Sequence, residues 1–315
     1  MLAPFRVARH TRRDEAMKLG VSVPNNWGIE DASKLIDFAV LAEELGFASL
    51  WASEHLVNNA YVRRRIGDRP YYHPLAVLSA IAGRTHRITL ATSVIVLPFH
   101  HPFDIAKYVA TLDQISKGRV ILGVGVGNVP EEFDALALPW NKRGAITDES
   151  IDVLRKLWAP GPAEHSGKQW NFSDVHTSPK PYQGRTIPIW VGGMSEAAYK
   201  RVGRVGDGWH PTAITAEQFA EEAEKVRSFA RENGRDPVSI DMCMRFNIAL
   251  DDEEVTEVEL RSTVERNDTG RMLDVCKSFD AAGATHFIYA LNSHEWPVLE
   301  HALRQLAVEV LPHFG

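Results

Sequence analysis

Cysteine is nearly missing: the 315 residues hold two, Cys243 and Cys276. Two thiols supply neither a disulfide framework nor the paired spacing of a structural zinc site, and both sit in mixed apolar stretches, where small buried hydrophobes belong. Positive charge is also short. Lysine and arginine number 35 against 41 acidic residues, and a net charge of −6 has the wrong sign for a surface that grips phosphate polymers, so nucleic acid is not an expected partner. No apolar run approaches the ~20 residues that cross a bilayer, so no membrane partner is expected either. Residues 1–16 are dotted with arginine and lack the apolar centre of a secretory signal; the expected location is the cytoplasm. Repeats with a period of 20 to 50 residues and low-complexity tracts are missing too, which excludes a solenoid and a disordered chain.

What is present is ordinary globular composition, 44% hydrophobic and 24% charged. Short β-rich runs alternate with helical periodicity along the whole length, the pattern of parallel strands joined by crossover helices. Eight strands are expected, at 18–23, 49–53, 88–94, 120–125, 187–192, 208–211, 239–250 and 286–290. Eight such units form either an open sheet covered by helices on both faces or a single closed (β/α)8 TIM barrel over residues 17–315, with residues 1–16 an arm or a mis-assigned start ahead of Met17. Two helix starts are legible: Thr215 with Gln218 forms a capping box, and Pro102 opens a helix that Gly118 ends. Residues 58–74, after strand two, and 128–183, after strand four, break the rhythm as insertions. The second contains an expected helix at 148–158, then a polar stretch whose Trp170, Phe172 and Tyr182 mark a packed excursion and not a linker.

Barrel chemistry sits at the carboxyl ends of the strands, which narrows the candidates to the residues just beyond each one. Glu54 and His55 follow strand two. Imidazole titrates near neutrality and a carboxylate beside it can orient it for proton transfer, although a solvated loop start explains an adjacent pair equally well. His100 and His101 do not read as a metal pair, because directly adjacent side chains seldom chelate together; no metal site is expected. Gly123, Gly125 and Gly127 lack the G-x-G-x-x-G spacing of a dinucleotide fold and are expected to clear one strand face for a flat ring. Gly192 and Gly193 precede a helix whose first turn includes Met194 and Ser195. Free amides, the positive helix end and the missing side chains make a phosphate cradle there. Arg63, Arg64 and Arg65 are either an anion-binding group or a solvated surface, and Trp51, Trp140 and Trp209 either line an apolar pocket or pack the barrel.

The ordered string LWASEH, ITLATSVIVLP, HPFDIAKYVATLDQISKGRVILGVGVG, PEEF, RGAITDESIDVLRKLW and IPIWVGGMSEAAYKRVGRVGDGW resembles the luciferase-like monooxygenase superfamily, and within it the branch that uses the deazaflavin coenzyme F420. The resemblance runs from about residue 18 to 209. It implies a (β/α)8 TIM barrel with insertions after strands two and four and a flavin or deazaflavin across the strand ends, with its phosphate toward Gly192, Gly193, Met194 and Ser195. It also implies a strand-three bulge with a non-proline cis peptide at Ser93-Val94. Glu54 and His55 match an Asp-His pair in which the histidine handles a proton. One position departs from the pattern: Asn128 stands where some deazaflavin dehydrogenases carry a catalytic glutamate, with Glu131 and Glu132 a few residues on, and this puts sugar-phosphate oxidation in doubt. Asn128 keeps the capacity to hydrogen-bond the ring edge. The function so implied is hydride transfer between F420 and a small organic substrate, in a homodimer. Alternatives are an FMN-dependent monooxygenase using O2, a cofactor-binding protein without turnover, and a metal-dependent hydrolase, the last disfavoured by the lack of an HxH on strand one.

Overall fold

The structure, a computed structural model, describes residues 16–250, 263–264 and 268–314. The expected arm therefore lies outside the described residues apart from Ala16. Eight parallel strands close into a barrel: β1 (Lys18–Ser22), β2 (Ser49–Ala52), β3 (Thr89–Thr92), β4 (Val120–Gly125), β5 (Ile189–Gly192), β6 (Gly208–His210), β7 (Asp241–Ala249) and β8 (His286–Asn292). Closure comes from β8, which pairs with β1 at Gly20↔Ile288 and with β7 at Cys243↔His286, while β7 pairs with β6 at Asp241↔Gly208. All eight expected strands occur, most of them trimmed by one or two residues where the pairing stops.

Strand three differs most from the expectation. Its register with β4 changes from Ala91↔Ile121 to Ile95↔Val124, so one extra residue is inserted at the Ser93-Val94 step, and that peptide is cis. This is a β-bulge, and the two-residue strand Ile95–Val96 resumes beyond it. The glycines of β4 make the bulge possible and correct the expectation attached to them. A Cβ on Gly123 would stand 1.8 Å from the Thr92 carbonyl oxygen, and one on Gly125 would stand 2.7 Å from Val94 Cγ2. The space they clear is thus filled by the neighbouring strand, with the Val94 side chain seated in it.

Among the described residues ten helices cover the barrel: α1 (Ser33–Leu45), α2 (Ala60–Ile66), α3 (Pro74–Ala82), α4 (Pro102–Ser116), α5 (Pro130–Ala135), α6 (Arg143–Trp158), α7 (Glu196–Val205), α8 (Ala216–Glu232), α9 (Thr269–Ala281) and α10 (Trp296–Glu309). Helix α8 shows why they form and seat. The Thr215–Gln218 capping box starts it, and Phe219, Ala223, Val226 and Ala230 recur at spacings of three and four to make its buried face. Burying Phe219 alone contributes roughly 1.5–3 kcal/mol. Helix α6 begins five residues before the expected 148. Thr147 and Asp148 read as a start signal, but the Thr147 hydroxyl donates to the Arg143 carbonyl one turn back, and Asp148 faces outward to Arg201. The excursion after α6 is an antiparallel hairpin of Ala163–Ser166 and Asn171–Val175, held by Phe172 against Phe103 at 5.0 Å between ring centroids.

The barrel interior is packed and is not a pore. Trp51, Ala91, Trp190, Cys243 and Ile288 form its central layer, with the two indoles 5.1 Å apart. A cavity of about 160 Å³ lies beneath that layer, lined by the strand starts at Lys18, Ser49, Thr89, Asp241 and His286. It is at the opposite end from the carboxyl termini of the strands, where the candidate residues gather.

Candidate active site

Alternation decides the fate of the Glu54-His55 pair. Successive side chains on an extended chain point to opposite sides, and here they do so just past the end of β2. Glu54 turns inward and is buried: it accepts from the Val96 amide at 2.7 Å and pairs with His100 Nε2 at 2.8 Å. His55 turns the other way, and its Nδ1 lies 2.7 Å from Oε2 of Glu132. Oε1 of Glu132 also takes the amides of Leu56, at 3.1 Å, and Val57, at 3.4 Å. The carboxylate that orients His55 is therefore Glu132 on α5, and Glu54 instead ties the β2 terminus to the resumed third strand. His100 and His101 diverge as well, since His101 Nδ1 caps α4 by accepting from the Phe103 amide at 3.3 Å.

With a buried carboxylate on Nδ1, His55 is fixed in the tautomer that leaves Nε2 able to accept a proton. Its ring lies between two phenols, with centroids 5.9 Å from Tyr61 and 5.7 Å from Tyr71, edge-on to the second. Asn25, just past β1, builds this wall. Its Nδ2 donates to the carbonyls of Ser53 at 2.8 Å and Tyr72 at 2.7 Å, so the ends of β1 and β2 and the loop after α2 are held together.

On the neighbouring side, Ser93 and Val94 are partly exposed at the bulge. Ser93 Oγ is 2.8 Å from His210 Nε2, and burial, with Arg245 nearby, holds the His210 imidazole down to about 3. His210 is thus neutral at physiological pH and is a hydrogen-bonding prop for Ser93 rather than a proton carrier. Asn128 is exposed beyond β4.

Gly192 to Ser195 make a different kind of surface. Gly193 has φ +118°, a conformation that L side chains rarely adopt, and it is exposed with Met194 and Ser195. Trp209 Nε1 donates to the Gly193 carbonyl at 2.9 Å, and the Tyr199 hydroxyl donates to the Met194 carbonyl at 2.8 Å. In a trans peptide the N–H opposes the C=O, so pinning these two oxygens inward turns the amides of Met194 and Ser195 outward. Among the described residues neither amide meets an acceptor. Ser195 Oγ accepts from the Ala198 amide at 3.3 Å as the N-cap of α7, which leaves its own hydrogen to donate. These groups fit a phosphate: outward amides, a helix start and a hydroxyl donor with no side chain at Gly193 to block approach.

The structure thus brings His55, Ser93 and Val94 to the mouth with Glu132, His210 and Tyr71, of which the sequence analysis gave Tyr71 no role. Glu54 stands behind it as a brace. Glu132 lies 77 residues from His55, and no local spacing signals the contact. Arg201, by contrast, is buried against Asp148 and takes no part in the cradle. Among the described residues no three His, Cys, Asp or Glu side chains converge as metal ligands.

The fold and site together are a (β/α)8 barrel with a bulged third strand, a carboxylate-held histidine beyond the second strand and outward amides beyond the fifth. The chain belongs to the luciferase-like monooxygenase family, whose model matches residues 2–296. It is similar to the F420-dependent glucose-6-phosphate dehydrogenase of Microbacterium testaceum, 32% identical over 61% of this chain and 58% of that protein. The enzyme of that name from Amycolatopsis mediterranei is 34% identical over 56% of this chain and 52% of its own. The chain thus spans little more than half the length of these relatives. Among solved structures, an F420-dependent secondary alcohol dehydrogenase in complex with an F420-acetone adduct superposes with a TM-score of 0.78 at 19% identity, covering 94% of this chain and 98% of that one. The monooxygenase RslO1 from Streptomyces bottropensis gives 0.73 at 25% identity, covering 95% of this chain and all of that one.

Proposed function

We propose that this chain is an oxidoreductase that moves a hydride between coenzyme F420 and a small organic substrate. The observation that carries the reading is the pairing of two separate devices at one barrel mouth: the outward amides of Met194 and Ser195, suited to a coenzyme phosphate, and the Glu132-oriented His55, suited to a substrate proton. Membership of the family and the F420-dependent relatives supply the coenzyme's identity in this reading. Bound coenzyme supplies a hydride acceptor or donor at C5 of its ring. Everything else falls to side chains. Gly193, Met194 and Ser195 hold the phosphate, and Ser93, Val94 and Asn128 border the ring. His55 takes the proton of a substrate hydroxyl at Nε2 as its carbon loses hydride, or returns it in the reverse direction. Tyr61 and Tyr71 flank the imidazole and limit water around it.

A second reading, an FMN-dependent monooxygenase using O2, draws on the likeness to RslO1, because the same cradle serves a flavin phosphate. Titration of the apoprotein with F420 and with FMN, oxidised and reduced, separates the two. F420 is expected to bind at micromolar concentration with FMN at least tenfold weaker; the reverse order replaces the first reading with the second. A cytoplasmic homodimer is proposed with either, and light scattering of the purified chain checks the dimer.

A further inference from the structure

Three polar atoms on the α2 side of the mouth are buried and meet no partner: Arg65 Nε, the Tyr71 hydroxyl and Asn26 Oδ1. They belong to one structure. Arg65 lies over the Trp27 ring at 4.8 Å and the Tyr61 ring at 5.2 Å, with Nη2 donating to the Asn26 carbonyl at 3.1 Å and Nη1 to the Tyr61 hydroxyl at 3.2 Å. The guanidinium is therefore fixed, and the edge it leaves unused is Nε–H. The Tyr71 hydroxyl is within the field of both Arg65 and Arg245, and its ring edge meets His55. The carboxylates closest to this wall are already engaged, Glu54 by Val96 and His100 and Glu132 by His55 and two backbone amides. Arg63 and Arg64, the other members of the arginine run, are exposed and take no part.

Two buried hydrogen-bond donors without acceptors, one of them charged, with a second cation nearby, call for a ligand with several lone pairs and negative charge. A neutral alcohol offers one oxygen and no charge. An oxyanion offers lone pairs to both donors, and stacking of Arg65 between two aromatic faces means that little side-chain freedom remains to be lost on binding. Asn26 Oδ1 asks for the opposite partner, a hydroxyl hydrogen.

We propose that Arg65 Nε–H and the Tyr71 hydroxyl form an anchor for an oxyanion of the substrate, a carboxylate or a phosphate, with Asn26 accepting from a hydroxyl of the same molecule beside His55. The substrate class is thus a hydroxy acid or a hydroxyalkyl phosphate. This rests on the oxidoreductase reading of the same mouth.

The test begins with F420 binding to the whole protein, since failure at that step defeats the reading beneath and leaves the anchor to be judged on the apoprotein or its FMN-loaded form. Two pairs of probes are then titrated calorimetrically, and turnover is followed by coenzyme absorbance: lactate against propane-1,2-diol, and glycerol 3-phosphate against glycerol. At least one anion is expected to bind tenfold or more tightly than its neutral partner, and the pair that responds identifies carboxylate or phosphate. Tyr71→Phe and Arg65→Gln are each expected to remove most of that preference while F420 affinity stays within twofold. Tyr71→Phe deletes one oxygen and tests the anchor even if Arg65→Gln disturbs the loop. Equal binding within both pairs, no binding of either anion, or an undiminished preference in Tyr71→Phe overturns the proposal.

Discussion

The two sides of the barrel mouth are built from opposite materials. Beyond β5 the surface is backbone: Gly193, Met194 and Ser195 are exposed, and the carbonyls of Gly193 and Met194 are pulled inward by Trp209 and Tyr199 so that the amides of Met194 and Ser195 face out. Beyond β2 the surface is side chain: His55 is bonded to Glu132 and meets the Tyr71 ring edge, and Arg65 lies over Tyr61. A backbone cradle cannot titrate and recognises charge and shape. A histidine held by a carboxylate is placed to hand over or receive a proton. In the proposed function, holding the coenzyme and transforming the substrate fall to separate strands, and mutation should separate them.

The largest effect that sharpens this contrast belongs to His55→Ala, where steady-state turnover should fall by about 10²–10⁴-fold, the usual contribution of a positioned acid or base. Unchanged turnover removes His55 from the chemistry. Glu132→Gln keeps the shape and loses the charge on Nδ1; a fall in turnover of roughly ten- to a hundredfold is expected, the rate equivalent of the ~1.5–3 kcal/mol of a charged hydrogen bond. In both variants coenzyme affinity should hold. Gly193→Val works on the other side: a branched residue at φ +118° is strained and its side chain faces Ala198, so F420 affinity should fall by about tenfold, measured by fluorescence titration, with the chemical step of the loaded enzyme preserved. A Gly193→Val enzyme with normal affinity and a slow chemical step breaks the division outright.

The smallest expected effect concerns stability. Burial lowers the His210 imidazole from 6.5 to about 3, so between those values the unfolded chain binds a proton that the folded one does not. Folding stability contributed by keeping this ring neutral is complete above pH ~6.5 and declines as pH falls toward 3, by up to about 1.4 kcal/mol per pH unit. Denaturant melts from pH 7 to 5 should show a steeper loss in the native chain than in His210→Asn; parallel slopes refute the assignment.

Much of this arrangement was legible in the residues. Alternating apolar runs bounded by glycine and proline located every barrel strand, and the helix start after IPIWVGG was legible at Ser195. The Ser93-Val94 cis step followed from family resemblance rather than from spacing. What was illegible is which partner occupies a space. The missing side chains of Gly123 and Gly125 were clear, but their filling by Thr92 and Val94 depends on a one-residue register shift in the adjacent strand. Likewise His55 could be read as a proton carrier. Its neighbour Glu54 was the obvious partner until strand alternation turned it away, and Glu132 reaches the imidazole only because α5 folds back over the end of β2.

The central claim is most directly tested by measuring, on His55→Ala, the dissociation constant for F420 and the single-turnover rate of hydride transfer in parallel. The account predicts an affinity within about threefold of the native chain and a rate reduced by at least about a hundredfold. Affinity and rate falling together, or a rate that does not fall, contradicts it.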